Sequence, residues 1–354
     1  MAVDQTQTSP VAPAPAPEAD VPAGRFDRIY RRLTGQALSL YATAFLRIGY
    51  GVLFLAILVR EFPNRHMIWA PDAPWTADLA RRMFDQTGWF SVLTLSDDPA
   101  YFEACYAAAV LVSVLFILGW HSRIMAVLFA LAVVSFYSRN VLMSDGGDNL
   151  MVLMAVYLMF TACGRRWSLD ARRAGRTVPP GGFRDFTATV MHNCALFVIM
   201  AQMCVLYGAA GLFKVQGDTW GDGTALHYVL KQDLFRPWPA VSDFLDGHHV
   251  MLAIACYMTV LVQVAFPFSL FSKLKYVVLA ILIGMHVGIA VLMALPIFSA
   301  VMVLADAVFL PDRFYLWAAR TGRRLLRRDP APARFFRRRR TPARFFRRGP
   351  APSH

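Results

Sequence analysis

The feature that most constrains this chain is a series of long apolar runs. They lie roughly at 40–59, 103–119, 124–138, 149–163, 191–213, 250–270, 275–293 and 296–311. A helix needs about 20 apolar residues to cross the hydrocarbon of a bilayer, and several of these runs are near that length. The runs at 124–138 and 149–163 are short, and read as tilted or broken helices. The last two are separated only by the Ala294–Pro296 region and read as a tight hairpin. With 57% hydrophobic and 17% charged residues in 354, the chain departs from soluble composition in the same direction. The expected fold is all-α, a polytopic integral membrane bundle of about eight transmembrane helices.

The formal net charge is +13, yet residues 311–354 alone hold fourteen arginines against Asp312 and Asp329. The basic balance therefore belongs to a tail, and nucleic acid is not an expected partner. That tail repeats PARFFRR at 332–338 and 342–348, and the end of the first repeat runs on into four arginines at 337–340. Arginines and paired phenylalanines suit an anionic lipid surface. At the other end, residues 1–24 are rich in Pro and Ala, lack an apolar run, and read as a disordered leader. The expected organisation is leader 1–24, membrane domain 25–311 and cytoplasmic tail 312–354.

Charge in the loops orients the bundle. Arg25, Arg28, Arg31 and Arg32 precede the first run. His121 and Arg123 follow the second, and Arg165, Arg166, Arg172, Arg173, Arg176 and Arg184 follow the fourth. Lys273 and Lys275 follow the sixth. The intervening segments 60–102 and 214–249 carry Asp72, Asp78, Asp85, Asp97, Asp98, Asp218, Asp222, Asp233, Asp243 and Asp246. Basic loops stay on the cytoplasmic side, so both termini are expected inside a bacterial inner membrane. Trp69, Trp75, Trp89, Trp220 and Trp238 suit an interfacial belt on the other side. Phe84, Trp89 and Phe90 are expected on a short amphipathic helix there.

Polar groups inside apolar runs are costly and so point to a cavity or to one another. Arg47 lies in the first run, Lys214 ends the fifth, His286 lies in the seventh and Asp306 in the eighth. Arg47 reads either as a snorkelling side chain or structural ion pair, or as a binder of an anionic or carbonyl group in a cavity. Lys214 follows the small residues Gly208, Ala209, Ala210 and Gly211, which leave room for a ligand or a neighbouring helix. A desolvated amine can act as a base near neutral pH. Snorkelling to the interface is the plainer reading of Lys214. His286 reads as structural, as a proton handler, or as a partner of Asp306 across the final hairpin. No second His or Cys stands at metal-ligand spacing, and no metal is expected. Between the third and fourth runs, Arg139 and Asn140 precede a Ser144–Asn149 segment. Asp148 or Asn149 could cap the next helix there or face a ligand. His192 and Asn193 read as interfacial, about 30 Å along the helix from Lys214. The five cysteines, Cys105, Cys163, Cys194, Cys204 and Cys256, form no CxxC pair and read as small hydrophobes.

Several pieces taken together carry a resemblance. They are FLRIGYGVLFL at 45–55, GWHSRIMAVL at 119–128, SRNVLMSDGGDNLM at 138–151 and RWSLDA at 166–171. Next come YGAAGLFKVQGDTWGDGTALHYVL at 207–230, GMHVGIAVLM at 284–293 and FSAVMVLADAVFLP at 298–311. In this order they resemble the HTTM family, the horizontally transferred transmembrane domain. That domain is shared with the membrane part of vitamin K-dependent gamma-glutamyl carboxylase. The resemblance implies quinol-linked chemistry with a lysine base, which maps onto Lys214. It implies a cofactor such as reduced menaquinone, its ring near the outer leaflet and its tail leaving between the spans. His286 is then a second catalytic candidate. Arg47, Arg139, Asp148, Asn149 and Tyr207 are candidates for holding cofactor, substrate or protons. A peptide or small molecule at the outer face would be the substrate. The competing readings are a non-enzymatic module that binds lipid or quinone or assists a partner protein, and a transporter.

Overall fold

The computed structural model describes residues 24–174 and 182–326. The leader before Gly24, Arg176 and the PARFFRR repeat lie outside the described residues. Among the described residues there are helices and no strands. The chain runs through α1 (Arg25–Gly35), α2 (Leu40–Glu61), α3 (Arg65–Trp69), α4 (Ala77–Thr87) and α5 (Pro99–Leu118). It continues with α6 (Ser122–Arg139), α7 (Gly146–Met159), α8 (Leu169–Arg173), α9 (Phe183–Val215) and α10 (Asp218–Gly221). The remaining helices are α11 (Ala225–Lys231), α12 (Pro239–Asp246), α13 (His249–Ser269), α14 (Lys275–Leu292), α15 (Pro296–Asp306) and α16 (Asp312–Leu326). Six described spans are long and apolar enough to cross a membrane: α2 with its continuation to Trp69, α5, α6, α9, α13 and α14. α7, and α15 with its extension to Phe309, are shorter apolar helices. The chain is thus a polytopic helical bundle, and each expected apolar run falls on one helix.

Local chemistry sets the helix ends. Asp98 opens α5 by accepting from Ala100 N at 3.0 Å, with Pro99 in the first turn. Gly119, at φ 67°, closes the same helix. α4 stops at Gly88, so of the expected aromatic trio Phe84 lies on the helix and is buried. Trp89 and Phe90 lie beyond it and are exposed.

α9 packs on α13, α2 on α5 and α15, α6 on α5 and α7, and α14 on α13 and α15. Lipid tails are as apolar as these side chains, so close backbone approach and polar bonds must hold the helices together. The α9–α13 seam shows this. A Cβ on Gly211 would lie 2.7 Å from Val264 Cγ2, and one on Gly208 would lie 3.7 Å from Pro267. Inside, Phe54 meets Phe129 and Phe136 edge-on at 5.7 and 5.8 Å. Outside, Val127, Phe197, Val205, Ile254, Leu261 and Val287 are exposed, as a lipid-facing surface requires.

The body through Asp312 forms one compact unit, and a second begins at Arg313. In that second unit, α16 carries exposed Phe314 and Trp317 together with Arg320, Arg323 and Arg324.

Candidate functional site

The predicted site residues are distributed over four places. Arg47 lies near the arginine-rich end of the bundle and is fully buried. Its Nε donates to Cys163 O at 3.3 Å. Nη1 donates to Phe116 O and Ile117 O at 2.5 Å each, and Nη2 to Trp167 O at 2.6 Å. All three nitrogens are occupied by backbone carbonyls that tie α2 to the end of α5 and to the turn after α7. His192 and Asn193 work in the same region. His192 accepts from Ala162 N at Nδ1, 3.0 Å away, and its Nε2 meets Leu38 O at 2.6 Å. Asn193 accepts from Leu38 N and donates to Leu33 O and Gln36 O. Both are buried and hold the α1–α2 junction.

At the acid-rich end, Arg139 donates to Trp75 O at 2.7 Å and to Ala70 O. It fastens the segment between α3 and α4 to the end of α6. Asp148 is the third residue of α7 and completes a capping box. Asp145 Oδ1 accepts from Gly147 N and Asp148 N, while Asp148 Oδ2 accepts from Asp145 N at 3.0 Å. Asn149 Nδ2 donates to Asp145 O at 3.2 Å. Asp148 also lines a hollow of about 250 Å³ with Arg60, Tyr137, Asn140 and Phe298.

Lys214 is half-buried in the last turn of α9. Its Nζ donates to Ala210 O at 3.3 Å and stands 5.3 Å from the centre of the Trp220 ring. Tyr207 is seven residues earlier on the same face of α9, about 10 Å along the axis.

Tyr207 heads the cluster with the most chemical interest. Its hydroxyl donates to Asp306 Oδ2 at 2.8 Å and lies 3.1 Å from His286 Nε2. Tyr207, His286 and Asp306 are all buried, on α9, α14 and α15. A phenol has one proton to give. With that proton directed to Asp306, the contact with His286 is made by Nε2–H and Nδ1 is a bare lone pair; with a protonated Asp306 the chain runs the other way and Nε2 accepts. His286 Nδ1 and Asp306 Oδ1 are both buried without a hydrogen-bond partner, and so is Gln263 Oε1 on the neighbouring α13. Asp306 Oδ1 and Gln263 Oε1 are acceptors, as is His286 Nδ1 when Nε2 carries the proton, and orphaned buried polar groups are rare in a native interior. The sequence offers His286 and Asp306 as candidate partners; in the structure each meets the Tyr207 hydroxyl, a bridge the sequence does not announce. Gln263 escapes the sequence reading, although a lone polar residue within LVQVAF is a visible sign.

Beside the cluster, α13 and α14 part to leave a groove of about 540 Å³, closed at one end by α11 and α12. Val262 and Met285, the sequence neighbours of Gln263 and His286, line it, with Met251, Met258, Ile281 and Leu292. Gly284 and Gly288 form part of the wall, and a Cβ added to either meets nothing within 4 Å. Neither Lys214 nor Tyr207, Gln263, His286 or Asp306 is in the described lining. Among the described residues no three His, Cys, Asp or Glu side chains come together as a metal site.

A helical bundle with apolar outer faces and buried polar centres defines a multi-pass membrane protein. Residues 37–314 match the HTTM domain, and the chain belongs to that family. Two relatives come from Bacillus subtilis (strain 168). The uncharacterized protein YitO is 29% identical over 212 residues, 56% of this chain and 62% of the relative. The sporulation-delaying protein SdpB is 19% identical over 215 residues, 59% of this chain and 64% of the relative. The matches span less than two thirds of either relative. No solved structure matches the chain significantly.

Proposed function

We propose that this protein is a membrane enzyme that links a reduced quinone to modification of a peptide or small substrate at the outer face, as its resemblance to the vitamin K-dependent carboxylase suggests. It would lie in a bacterial inner membrane with both termini inside and the acid-rich end outward. The observation that carries the reading is the set of orphaned acceptors, His286 Nδ1, Asp306 Oδ1 and Gln263 Oε1. A hydroquinone ring presents two hydroxyl donors, and its tail is a long apolar chain. The residues present suit each part separately, with buried acceptors for the hydroxyls and the groove between α13 and α14 for the tail, although Gln263, His286 and Asp306 do not themselves line that groove. When bound, such a quinol would supply two electrons and two protons.

The chain's own groups then have distinct tasks. His286 Nδ1 is the free lone pair that can take a proton inside the bundle. Tyr207 holds the imidazole and the Asp306 carboxylate in register, so that a proton arriving at His286 is balanced by a nearby negative charge. Lys214, farther along the same face of α9 and sheltered by Trp220, is the proposed base. A second reading, a quinone- or lipid-binding module without turnover, is favoured by the position of Lys214 outside the groove lining.

Extraction of purified protein followed by mass spectrometry tests the groove. Gly288→Leu is the useful variant, because its added Cβ meets open space. Wild type is expected to retain menaquinone and Gly288→Leu to lose most of it while eluting as a folded protein. Equal quinone content, or none in folded wild type, would remove the groove from the account.

A further inference from the structure

A second polar hollow lies at the arginine-rich end. It encloses about 690 Å³ between the start of α6, the end of α7 and α8. Arg123, Arg165, Arg166 and Asp170 provide its charge. Two of these groups are already committed. Asp170 Oδ1 accepts from His121 N at 3.0 Å and Oδ2 from Ser122 N at 2.6 Å, which caps α6. Partial burial works to raise the pKa of Asp170. The bonds from Ser122 and His121 outweigh it and hold this carboxyl below the usual range. Arg165 is paired with Asp185 at 2.5 Å.

The other two guanidiniums have no carboxylate partner among the described residues. Arg166 donates to Arg165 O at 3.2 Å and stands 5.6 Å from the Tyr41 ring centre. Arg123 is exposed and enters no ion pair among the described residues. Two uncompensated guanidiniums facing one hollow suit a phosphate group, which they can bind in a forked geometry.

The hollow is also continuous with the lipid-facing surface. Ile124 lines it and is 58% exposed. Val127, Leu128 and Leu131 extend the exposed aliphatic row along α6 at helical spacing. Guanidiniums at the head of an aliphatic row that leads into the bilayer match a phosphate ester carrying an acyl chain. We propose that this hollow binds the phosphate group of a membrane lipid, with Arg123 and Arg166 holding the phosphate and one acyl chain along Ile124–Leu131. This site is separate from the proposed quinol site.

The test is the melting midpoint of the full chain in neutral detergent. The additions are dioleoyl phosphatidylglycerol, dioleoylglycerol (which lacks the phosphate) and inorganic phosphate, each tried alone. Phosphatidylglycerol at saturation is expected to raise the midpoint by about 5 °C. Dioleoylglycerol and inorganic phosphate are expected to leave it unmoved. In the double variant Arg123→Gln, Arg166→Gln the midpoint without lipid stays near wild type, since both side chains are exposed, and the lipid shift disappears. The tail variant Arg337→Gln, Arg338→Gln, Arg339→Gln, Arg340→Gln keeps the shift. An equal shift in the double variant overturns the proposal, as does a shift lost only in the tail variant. A full shift with inorganic phosphate would assign the hollow to free phosphate instead of lipid, and a full shift with dioleoylglycerol would leave the arginines without a role.

Discussion

Arg47 shows how a polar residue in a span can be mistaken for a ligand site. From sequence, an arginine seven residues into an apolar run is compatible with binding an anion. In the structure its nitrogens are filled by four carbonyls from distant parts of the chain. Replacing it with Leu takes the side-chain donor from those carbonyls, of which Phe116 O keeps Gly119 N, and each buried group left unsatisfied costs about 1–3 kcal/mol. Arg47→Leu should therefore lose at least about 3 kcal/mol of stability. Arg47→Lys should recover little, because an ammonium cannot fork to four acceptors. Thermal melts in detergent measure both, and a wild-type melt for Arg47→Lys would contradict the structural role. Tyr207 gives a second case. Tyr207→Phe keeps the ring but removes the hydroxyl that joins His286 and Asp306, stranding two more buried groups. The expected loss is about 1–3 kcal/mol, read from the same melts. His286 and Asp306 are visible in the sequence as costly polar residues, each alone in an apolar run. The hydroxyl between them is not, because its partners lie 79 and 99 residues away along the chain.

Among the elements, glycine spacing separates tight seams from open ones. Gly211 and Gly288 both sit in apolar helices, and sequence alone treats them alike. Gly211 is pressed against Val264, whereas Gly288 faces the groove. Gly211→Ala should cost about 1–3 kcal/mol through overpacking of the α9–α13 seam, and Gly288→Ala should be close to neutral or slightly stabilising. Comparison of the two melts decides this, and equal effects would contradict the assigned packing. The α11–α12 pair closes the acid-rich end of the groove and is tied by His227, Lys231 and Asp246. Asp246 binds His227 Nδ1 and lies 3.2 Å from Lys231 Nζ. The bond from His227, followed by that from Lys231, holds the Asp246 carboxyl below its ordinary value. A lowered acid contributes stability that is complete above its unfolded pKa, about 3.9, and is lost as pH falls through the folded value. Protease protection of 225–246 should therefore fall below about pH 4. Asp246→Asn should weaken that protection at neutral pH and flatten its dependence on acid. The apolar runs announce α2, α5, α6, α9, α13 and α14 because length and hydropathy are local properties. The small helices between spans depend on where Trp69, Phe84 and their neighbours find cover, which is decided across the whole bundle.

Viewed as a whole, the molecule combines a structural polar layer near each end with a chemically unfinished one between them. Arg47, His192 and Asn193 are satisfied by backbone at the arginine-rich end, and Arg139 makes the corresponding links at the acid-rich end, although its Nε has no partner. Among the described residues, Gln263, His286 and Asp306 leave buried polar atoms open on α13, α14 and α15, while Trp75, Ser138 and Asn140 do so at the acid-rich end. The order of basic and acidic loops along the chain makes the two ends legible in the amino-acid sequence. The contrast between satisfied and unsatisfied polar groups is not legible there, since it depends on which carbonyls and hydroxyls the fold brings within reach.

The most direct measurement is turnover of reduced menaquinone by the full chain in lipid nanodiscs under air. Oxidised and epoxide products would be followed by mass spectrometry for wild type, Lys214→Ala and His286→Gln. The account predicts product from wild type and at least a tenfold loss in each variant, with both variants still folded. Product formation that is unchanged in both variants, or absent from folded wild type supplied with quinol and oxygen, would contradict it.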